Sequence, residues 1–223
     1  EILLEMQVAK VVVGMLDPDS RVAGEGVALL RRMGVEVVVG VQQEACQLLN
    51  HAYLLARKYK RPRFTLKTAL TLDGYTADIF GQSKWITNPS SRLAGHYLRD
   101  SHDGILVGVG TVLADDPSLT TRLRDDHGND IVGEHARPII LDSQMRTPQG
   151  AQVRTVGKPP IWFCNRDHIH KPERGHCLGV DTQGEGVDLE QVARHLVKEG
   201  IYSVLLEGGA TIHRAFLEKG WVD

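Results

Sequence analysis

Cysteines, aromatic residues and blocks of like charge are all scarce in this chain of 223 residues. Its three cysteines, Cys46, Cys164 and Cys177, form an odd set without paired spacing, which suits a reducing, cytoplasmic setting better than a disulfide scaffold. No apolar run approaches the ~20 residues that a membrane span needs, and the N-terminal residues lack the basic, apolar and small-residue succession of a signal peptide. Formal net charge is -2 with no sustained Lys/Arg tract, so there is no electrostatic footprint for nucleic acid or an anionic membrane. Trp85, Trp162 and Trp221 stand far apart without basic interleaving, which makes them core or cofactor-flanking residues instead of a stacking platform. A small-molecule substrate remains as the expected partner.

Hydrophobic content of 42% against 24% charged supports one good core, or one core with a small appendage. Pro62, in the basic joint Arg57 to Arg63, interrupts a helix expected from Gln43 through Lys60 and sets a boundary between residues 1–60 and 61–223. The first part predicts a strand over Ala9 to Met15, a turn at Asp17 to Ser20, a helix over Gly26 to Met33 capped by Gly34, a strand over Val35 to Val39 and then the long helix. That βαβα unit is too small to stand alone. In the second part, strands are expected at Phe64 to Leu70, Gly104 to Val107, Pro138 to Asp142, Pro160 to Cys164 and Tyr202 to Leu206. Helical patterns lie near Asn88 to Arg99, Asp188 to Glu199 and Thr211 to Lys219. Such alternation argues an α/β layer around a largely parallel central sheet.

Two glycine turns follow strands. Gly108-Val109-Gly110-Thr111 opens a short helix, but the third glycine of a Rossmann fingerprint would fall at Leu113 and no acidic residue ends a following strand at the required distance, so that reading fails. Glu207-Gly208-Gly209-Ala210-Thr211 joins a strand to an amphipathic helix, where it serves either as a plain turn or as a backbone cradle for phosphate. Lys67, inside the strand pattern FTLKTAL, is either a solvated residue or a desolvated one with a partner or a task. Glu207 ends its strand where open α/β sheets place ligands, and it is a charge partner for Lys67 if the two strands are neighbours. Cys164, His168, His170, His176 and Cys177 are zinc-ligand types, but their spacing is irregular and their setting is that of an exposed loop, so no metal is expected.

The strings FTLKTALTLDG (64–74), GQSKWIT (81–87) and GILVGVGTVLADDPSLTTR (104–122) resemble the reductase domain of the bifunctional riboflavin-biosynthesis deaminase-reductases. Residues 9–41, AKVVVGMLDPDSRVAGEGVALLRRMGVEVVVGV, resemble the tail of the cytidine-deaminase-like zinc domain that precedes it. Neither the H-x-E nor the P-C-x-x-C segment of a zinc deaminase is present, so zinc is expected only in a deaminase domain of a longer parent. The resemblance covers about Arg61 to Asp223, with Arg122 to Arg137 and Cys164 to Gly186 following no family pattern.

What the resemblance implies is a dihydrofolate-reductase-like domain that reduces 5-amino-6-(5-phosphoribosylamino)uracil with NADPH. It assigns Ala69, Trp85, Thr111, Asp115, Ser143 and the turn from Gly209 through Ala210 and Thr211 to Ala215 to the cofactor. It assigns Ser83, Arg99, Leu119, Arg122 and Glu207 to the substrate. The arginines suit phosphate clamps, since a guanidinium fork matches phosphate and keeps its charge. Lys67 and Glu207 are expected to polarise and protonate the substrate. Asp115 either shares that proton handling or holds a cofactor ribose, and Asp116 beside it leaves the choice open. Family members assemble as homodimers or higher homo-oligomers and continue past Asp223 with strands that complete the sheet, so this chain is expected to be a fragment or to leave a sheet edge unpaired. A pteridine or dihydrofolate reductase and a non-catalytic nucleotide-binding module are the alternatives.

Overall fold

The computed structural model describes residues 2–19, 21–22, 24–124, 130–131, 136–169, 171–184 and 186–223. Two units divide it, Glu1–Arg61 and Pro62–Asp223. The first contains α1 (Ile2–Glu5), β1 (Lys10–Val13), α2 (Glu25–Arg32), β2 (Glu36–Val39), α3 (Gln43–Leu49) and α4 (His51–Tyr59). Strands β1 and β2 pair in parallel, Val11 opposite Val37, as a crossover connection through α2 requires. The helix expected over Gln43 to Lys60 is two helices broken at Asn50, whose side chain donates to the Cys46 carbonyl at 2.8 Å, a local bond that competes with the helical ladder. The expected turn at Asp17 ends on Ser20, which lies outside the described residues.

The second unit runs β3 (Arg63–Leu66), α5 (Pro89–Asp100), β4 (Gly104–Gly108), α6 (Val109–Asp115), β5 (Leu123–Arg124), β6 (Asp130–Ile131), β7 (Arg137–Leu141), α7 (Gln152–Thr155), β8 (Ile161–Asn165), β9 (His176–Val180), β10 (Thr182–Gln183), β11 (Gly186–Val187), α8 (Leu189–Lys198), β12 (Ser203–Leu206) and α9 (Ala210–Glu218). Six strands form one sheet in the order β3-β12-β4-β7-β8-β9, and every pairing in it is parallel. Strands buried on both faces read as continuous apolar runs, and Ile105-Leu106-Val107 shows why. Leu106 packs with Ile139, Phe163, Val192 and Phe216 on one face, while Ile105 and Val107 pack with Val112, Ile140 and Trp162 on the other, the period of two that a pleated strand imposes.

Strand β9 was not legible in the sequence because it is an edge strand, half-exposed over most of its length, with a histidine and a glycine interrupting its apolar pattern. Its pairing with β8 brings Cys164 and Cys177 together, their sulfurs 2.9 Å apart, although nothing in their spacing links them. Burial pushes the Cys164 thiol up to about 12. The other edge, β3, is partly covered: Val222 bridges Phe64 in parallel, Asp223 N–H donates to the Phe64 carbonyl at 3.0 Å and Phe64 N–H donates to the Asp223 carboxylate at 2.9 Å. Among the described residues no helix is long and apolar enough to cross a membrane.

The path of the chain fixes where a ligand belongs. From β4 the chain steps outward through β7, β8 and β9 and returns to β12, on the opposite side of β4. After β12 and α9 it runs to the β3 edge, so the connections leaving β4 and β12 diverge. A crevice opens at the carboxyl ends of neighbouring parallel strands where connections part this way. Asp103 fixes the register of this pair: its carboxylate accepts from Tyr202 N–H and Ser203 N–H, both at 2.9 Å.

Candidate active site

The crevice is a cleft of about 890 Å³ whose walls include Gly108, Val109, Gly110, Thr111, Asp115, Ser143, Arg146, Gln183, Gly209, Thr211, Ile212 and Lys219, within the size range of small-molecule and cofactor sites. One wall is the turn after β4, and the facing wall is the turn after β12 with the start of α9. Gly209 caps α9 without a side-chain hydrogen bond, so the first amides of that helix keep their donors for an anion. Gly208 is needed for its size: a Cβ there would stand 2.8 Å from Cβ and Cγ1 of Ile212, and α9 would be pushed off the strand end.

Of the cofactor residues expected from the sequence, Thr111, Asp115, Ser143, Gly209 and Thr211 line this cleft. Ala210, the first helical residue of α9, falls between two lining residues. Asp115 and Asp116, inseparable in the sequence, differ in the structure. Asp116 accepts from Gln152 N–H at 2.8 Å and ties α6 to α7, while Asp115 faces the cleft. Trp85 and Ser83 belong to a different hollow, formed by residues 71–86; Trp85 is 71% exposed and the Arg92 guanidinium lies 4.5 Å from its ring centroid. Residue Ala69 follows β3 and is half-buried.

A charged corner adjoins the cleft through Glu207, which directly precedes the Gly208-Gly209 turn. Arg99 grips Glu207 with both prongs of its fork, Nε to Oε1 at 2.9 Å and Nη2 to Oε2 at 2.6 Å, while its Nη1 donates to the Thr120 carbonyl at 2.9 Å. The side chains of this pair retain 17% and 7% of their exposure. Burial raises the Glu207 carboxyl, but the hydrogen bonds and charge of Arg99, with Lys67 adding to them, outweigh it and hold the group below its ordinary value. The corner thus favours the ionised form of Glu207, an acceptor held by the Arg99 fork.

Two expectations about Lys67 are corrected. Strand β3 stops at Leu66, so Lys67 lies just past its end, its N–H still donating to the Leu206 carbonyl at 3.1 Å. The partner of Glu207 is Arg99 and not Lys67, because α5 lays a planar fork against the carboxylate, a geometry an ammonium cannot match. The Lys67 stem passes near Gly95, where a Cβ would meet Cε at 3.8 Å, and its ammonium makes no hydrogen bond or ion pair among the described residues.

Helix α5 is the positioning device. Asn88 caps it, its side chain accepting from Ser91 N–H at 2.8 Å, and Pro89 pre-sets its first turn. At its end, His102 Nε2 lies 2.8 Å from Thr65 Oγ1 on β3, which aims Arg99 at Glu207. Arg122 donates from Nη1 to Ser118 Oγ at 3.1 Å and to Thr120 Oγ1 at 3.3 Å. Between them, Leu119 takes a left-handed conformation, φ 52°, unusual outside glycine, with its side chain buried in the core. Any contact of Leu119 with a substrate runs through its backbone.

Several residues escaped the sequence reading. Arg146, Gln183 and Lys219 line the cleft, and His96 accepts from Arg122 N–H at 3.3 Å. Within the Gly209 to Ala215 turn expected at the cofactor, Ile212 and Ala215 also line the cleft, and the His213 Nε2 is buried without a hydrogen bond in the field of Lys67. The spacing Arg92, Gly95, His96, Arg99, one face of a helix, was a signal for His96; the others are defined by tertiary contacts alone. Of the zinc-type residues Cys164 and Cys177 meet, but among the described residues no three metal-ligating side chains form a group. His176 Nδ1 instead lies 3.1 Å from Arg137, and His170 is outside the described residues.

Comparison with known proteins agrees with this geometry. A riboflavin biosynthesis protein RibD from Bacillus amyloliquefaciens is 36% identical over 228 residues, covering 100% of this chain and 60% of that protein. The crystal structure of a diaminohydroxyphosphoribosylaminopyrimidine deaminase/5-amino-6-(5-phosphoribosylamino)uracil reductase from Thermotoga maritima superposes with a TM-score of 0.82 at 33% identity, covering 98% of this chain and 59% of that one. Acinetobacter baumannii RibD gives a TM-score of 0.84 at 34% identity over 100% of this chain and 61% of that one. The chain thus spans about three fifths of the relatives it matches. The model for the RibD C-terminal domain matches residues 62–223, the unit that holds both the cleft and the charged corner, and the chain accordingly belongs to the RibD C-terminal domain family.

Proposed function

We propose that residues 62–223 are the NADPH-dependent 5-amino-6-(5-phosphoribosylamino)uracil reductase of riboflavin biosynthesis. The observation that carries this reading is the meeting, at the diverging ends of β4 and β12, of a nucleotide-sized glycine cleft with a corner of Lys67, Arg99, Glu207 and Arg122. The residues fit the cofactor: the free amides of α9 suit a pyrophosphate, and Ser143 with Arg146 at the cleft wall suits the 2′-phosphate of NADPH. Bound there, NADPH supplies a hydride to the sugar's first carbon. Arg122 takes the substrate phosphate, Glu207 holds sugar hydroxyls as an ionised acceptor, and the Lys67 ammonium gives up the proton that balances the hydride. Asp115, on the cleft wall, holds a cofactor ribose.

The same reading extends to residues 1–60 as the end of a zinc deaminase domain. It is supported by relatives that align through this segment, among them the Thermotoga maritima deaminase/reductase. A bifunctional, cytoplasmic, homo-oligomeric parent follows from it; exposed Leu72, Ile79 and Phe80 supply apolar surface for association, which light scattering checks.

Loss of NADPH absorbance on adding the deaminated ribosylaminouracil phosphate, with dihydrofolate in parallel, tests the function. Oxidation with the first substrate alone is the expected result. Oxidation with dihydrofolate alone, or NADPH binding without turnover of either, would overturn it in favour of a pterin reductase or a binding module.

A further inference from the structure

Of the two arginines in the charged corner, Arg122 alone keeps part of its fork without a partner among the described residues. Arg99 spends both prongs of its fork on Glu207 and its remaining nitrogen on the Thr120 carbonyl. Arg122 is exposed, and among the described residues its guanidinium is engaged through Nη1, by the hydroxyls of Ser118 and Thr120, which leaves Nε and Nη2 as a fork for an anion. The grip on an anion therefore depends on how firmly the segment 118–122 is held. That segment is tied to α5 at two points one helical turn apart: Arg99 holds the Thr120 carbonyl, and His96 Nδ1 accepts the Arg122 N–H at 3.3 Å.

We propose that His96 is a positioning residue of the phosphate clamp, its neutral imidazole holding the Arg122 backbone so that the guanidinium fork meets the substrate phosphate. This rests on the reductase reading above. Because Nδ1 accepts a hydrogen bond, the neutral ring carries its proton on Nε2. Protonation of Nδ1 would set an imidazolium N–H against an amide N–H and break the tie. The groups facing the ring are Arg99 on α5, Arg122 on the turn after α6, Lys67 past β3 and Glu207 past β12. Burial first, then the charges of Arg99 and Arg122, lower the imidazole from its ordinary value, and Glu207 opposes them. The sign follows: the ring is neutral at pH 7 and above, and the clamp loosens on the acid side of the ordinary histidine range.

The test compares the parent chain with His96→Gln, whose amide oxygen can still accept from Arg122 N–H without titrating, and His96→Phe, which cannot accept. Reductase KM and kcat are measured from about pH 5 to about pH 8, with calorimetric binding of ribose 5-phosphate as a readout that needs no turnover. One backbone hydrogen bond is worth roughly fivefold in binding. His96→Phe is expected to raise KM and weaken ribose 5-phosphate by about that factor with kcat little changed, while His96→Gln stays near the parent at neutral pH. The substrate phosphate itself takes up a proton near pH ~6 in all three proteins, so the acid-side rise in KM should be steeper in the parent than in His96→Gln. Unchanged ribose 5-phosphate binding in His96→Phe, or identical pH profiles for parent and His96→Gln, would overturn the proposal. A parent that turns over no substrate, yet shows the Gln-against-Phe difference in ribose 5-phosphate binding, would sink the reductase reading and leave the clamp standing. Melting temperatures of the variants confirm that each is folded.

Discussion

The cleft between β4 and β12 is walled by backbone and small residues, Gly108, Gly110, Thr111 and Gly209 among them, whereas the corner beside it is made of long charged side chains reaching in from separate elements. The two facing turns of the cleft, Gly108 to Thr111 and Gly208 to Thr211, get their shape from residues adjacent in sequence, so they should fail on the addition of one carbon. The corner gets its chemistry from tertiary placement, so it should fail on the loss of a charge and tolerate changes of backbone. Each variant below attacks one side of that contrast.

Lys67→Met carries the largest expected effect. It keeps the stem that packs near Gly95 and removes the one ammonium of the corner that has no partner among the described residues. If Lys67 supplies the proton, kcat should fall by about 10²–10⁴-fold while NADPH affinity and melting temperature stay near the parent's. A parent-like kcat would remove Lys67 from the chemistry.

Arg99→Leu comes next, and it acts on stability as well as activity. Breaking a buried pair by removing one partner costs on the order of 3 kcal/mol, and Arg99 and Glu207 are both mostly shielded. In the parent, Glu207 sits below its ordinary value of 4.5, so its pairing stabilises the fold above that value and the contribution disappears as pH falls through the depressed one. Without Arg99, the burial that raises the carboxyl loses its main counterweight, so the variant should lose stability as pH climbs above the ordinary value of 4.5. Thermal melts across pH check the sign, and a variant with the parent's pH dependence would show that Arg99 does not set the charge of Glu207.

Much of this contrast was visible in the sequence, and the reason lies in how each half is encoded. The strand Gly104–Gly108 and its glycine turn announce themselves because a parallel strand buried on both faces must be apolar throughout and must end where the chain turns. Lys67, Arg99, Glu207 and Arg122 were recognisable as charges in odd places, through family resemblance, but their pairing was not, since Arg99 and Glu207 are 108 residues apart. Only the strand order, with β12 inserted between β3 and β4, decides that Glu207 meets α5. Arg146 and Gln183 were hidden for the same reason: they reach the cleft from a turn and a short hairpin that carry no periodic signal.

Gly208→Ala probes the cleft. The added methyl would meet Cβ and Cγ1 of Ile212 at 2.8 Å, and a β-branched side chain cannot swing away. Overpacking of this kind costs roughly 1–3 kcal/mol, which here falls on the seat of α9. NADPH binding, followed by fluorescence titration, should weaken by about tenfold while kcat at saturating NADPH stays near the parent's. A larger loss in kcat than in affinity would mean that the turn also positions Glu207, and the two halves would then be one mechanical unit.

Trp85→Ala carries the smallest effect on the fold and sharpens the contrast at its margin. The ring is 71% exposed and its main partner is the Arg92 guanidinium at 4.5 Å, an exposed cation–π contact worth about 0.5–1 kcal/mol. Stability should therefore move by no more than that. If the ring serves the nucleotide, as the family resemblance implies, the loop 71–86 must bring it to the cleft on binding, because it lines a separate hollow here. NADPH affinity should then fall by more than the stability does, and the parent's tryptophan emission should change on NADPH addition by an amount that the variant loses. Equal NADPH affinity in variant and parent would place Trp85 outside the cofactor site and leave the loop as a separate surface hollow.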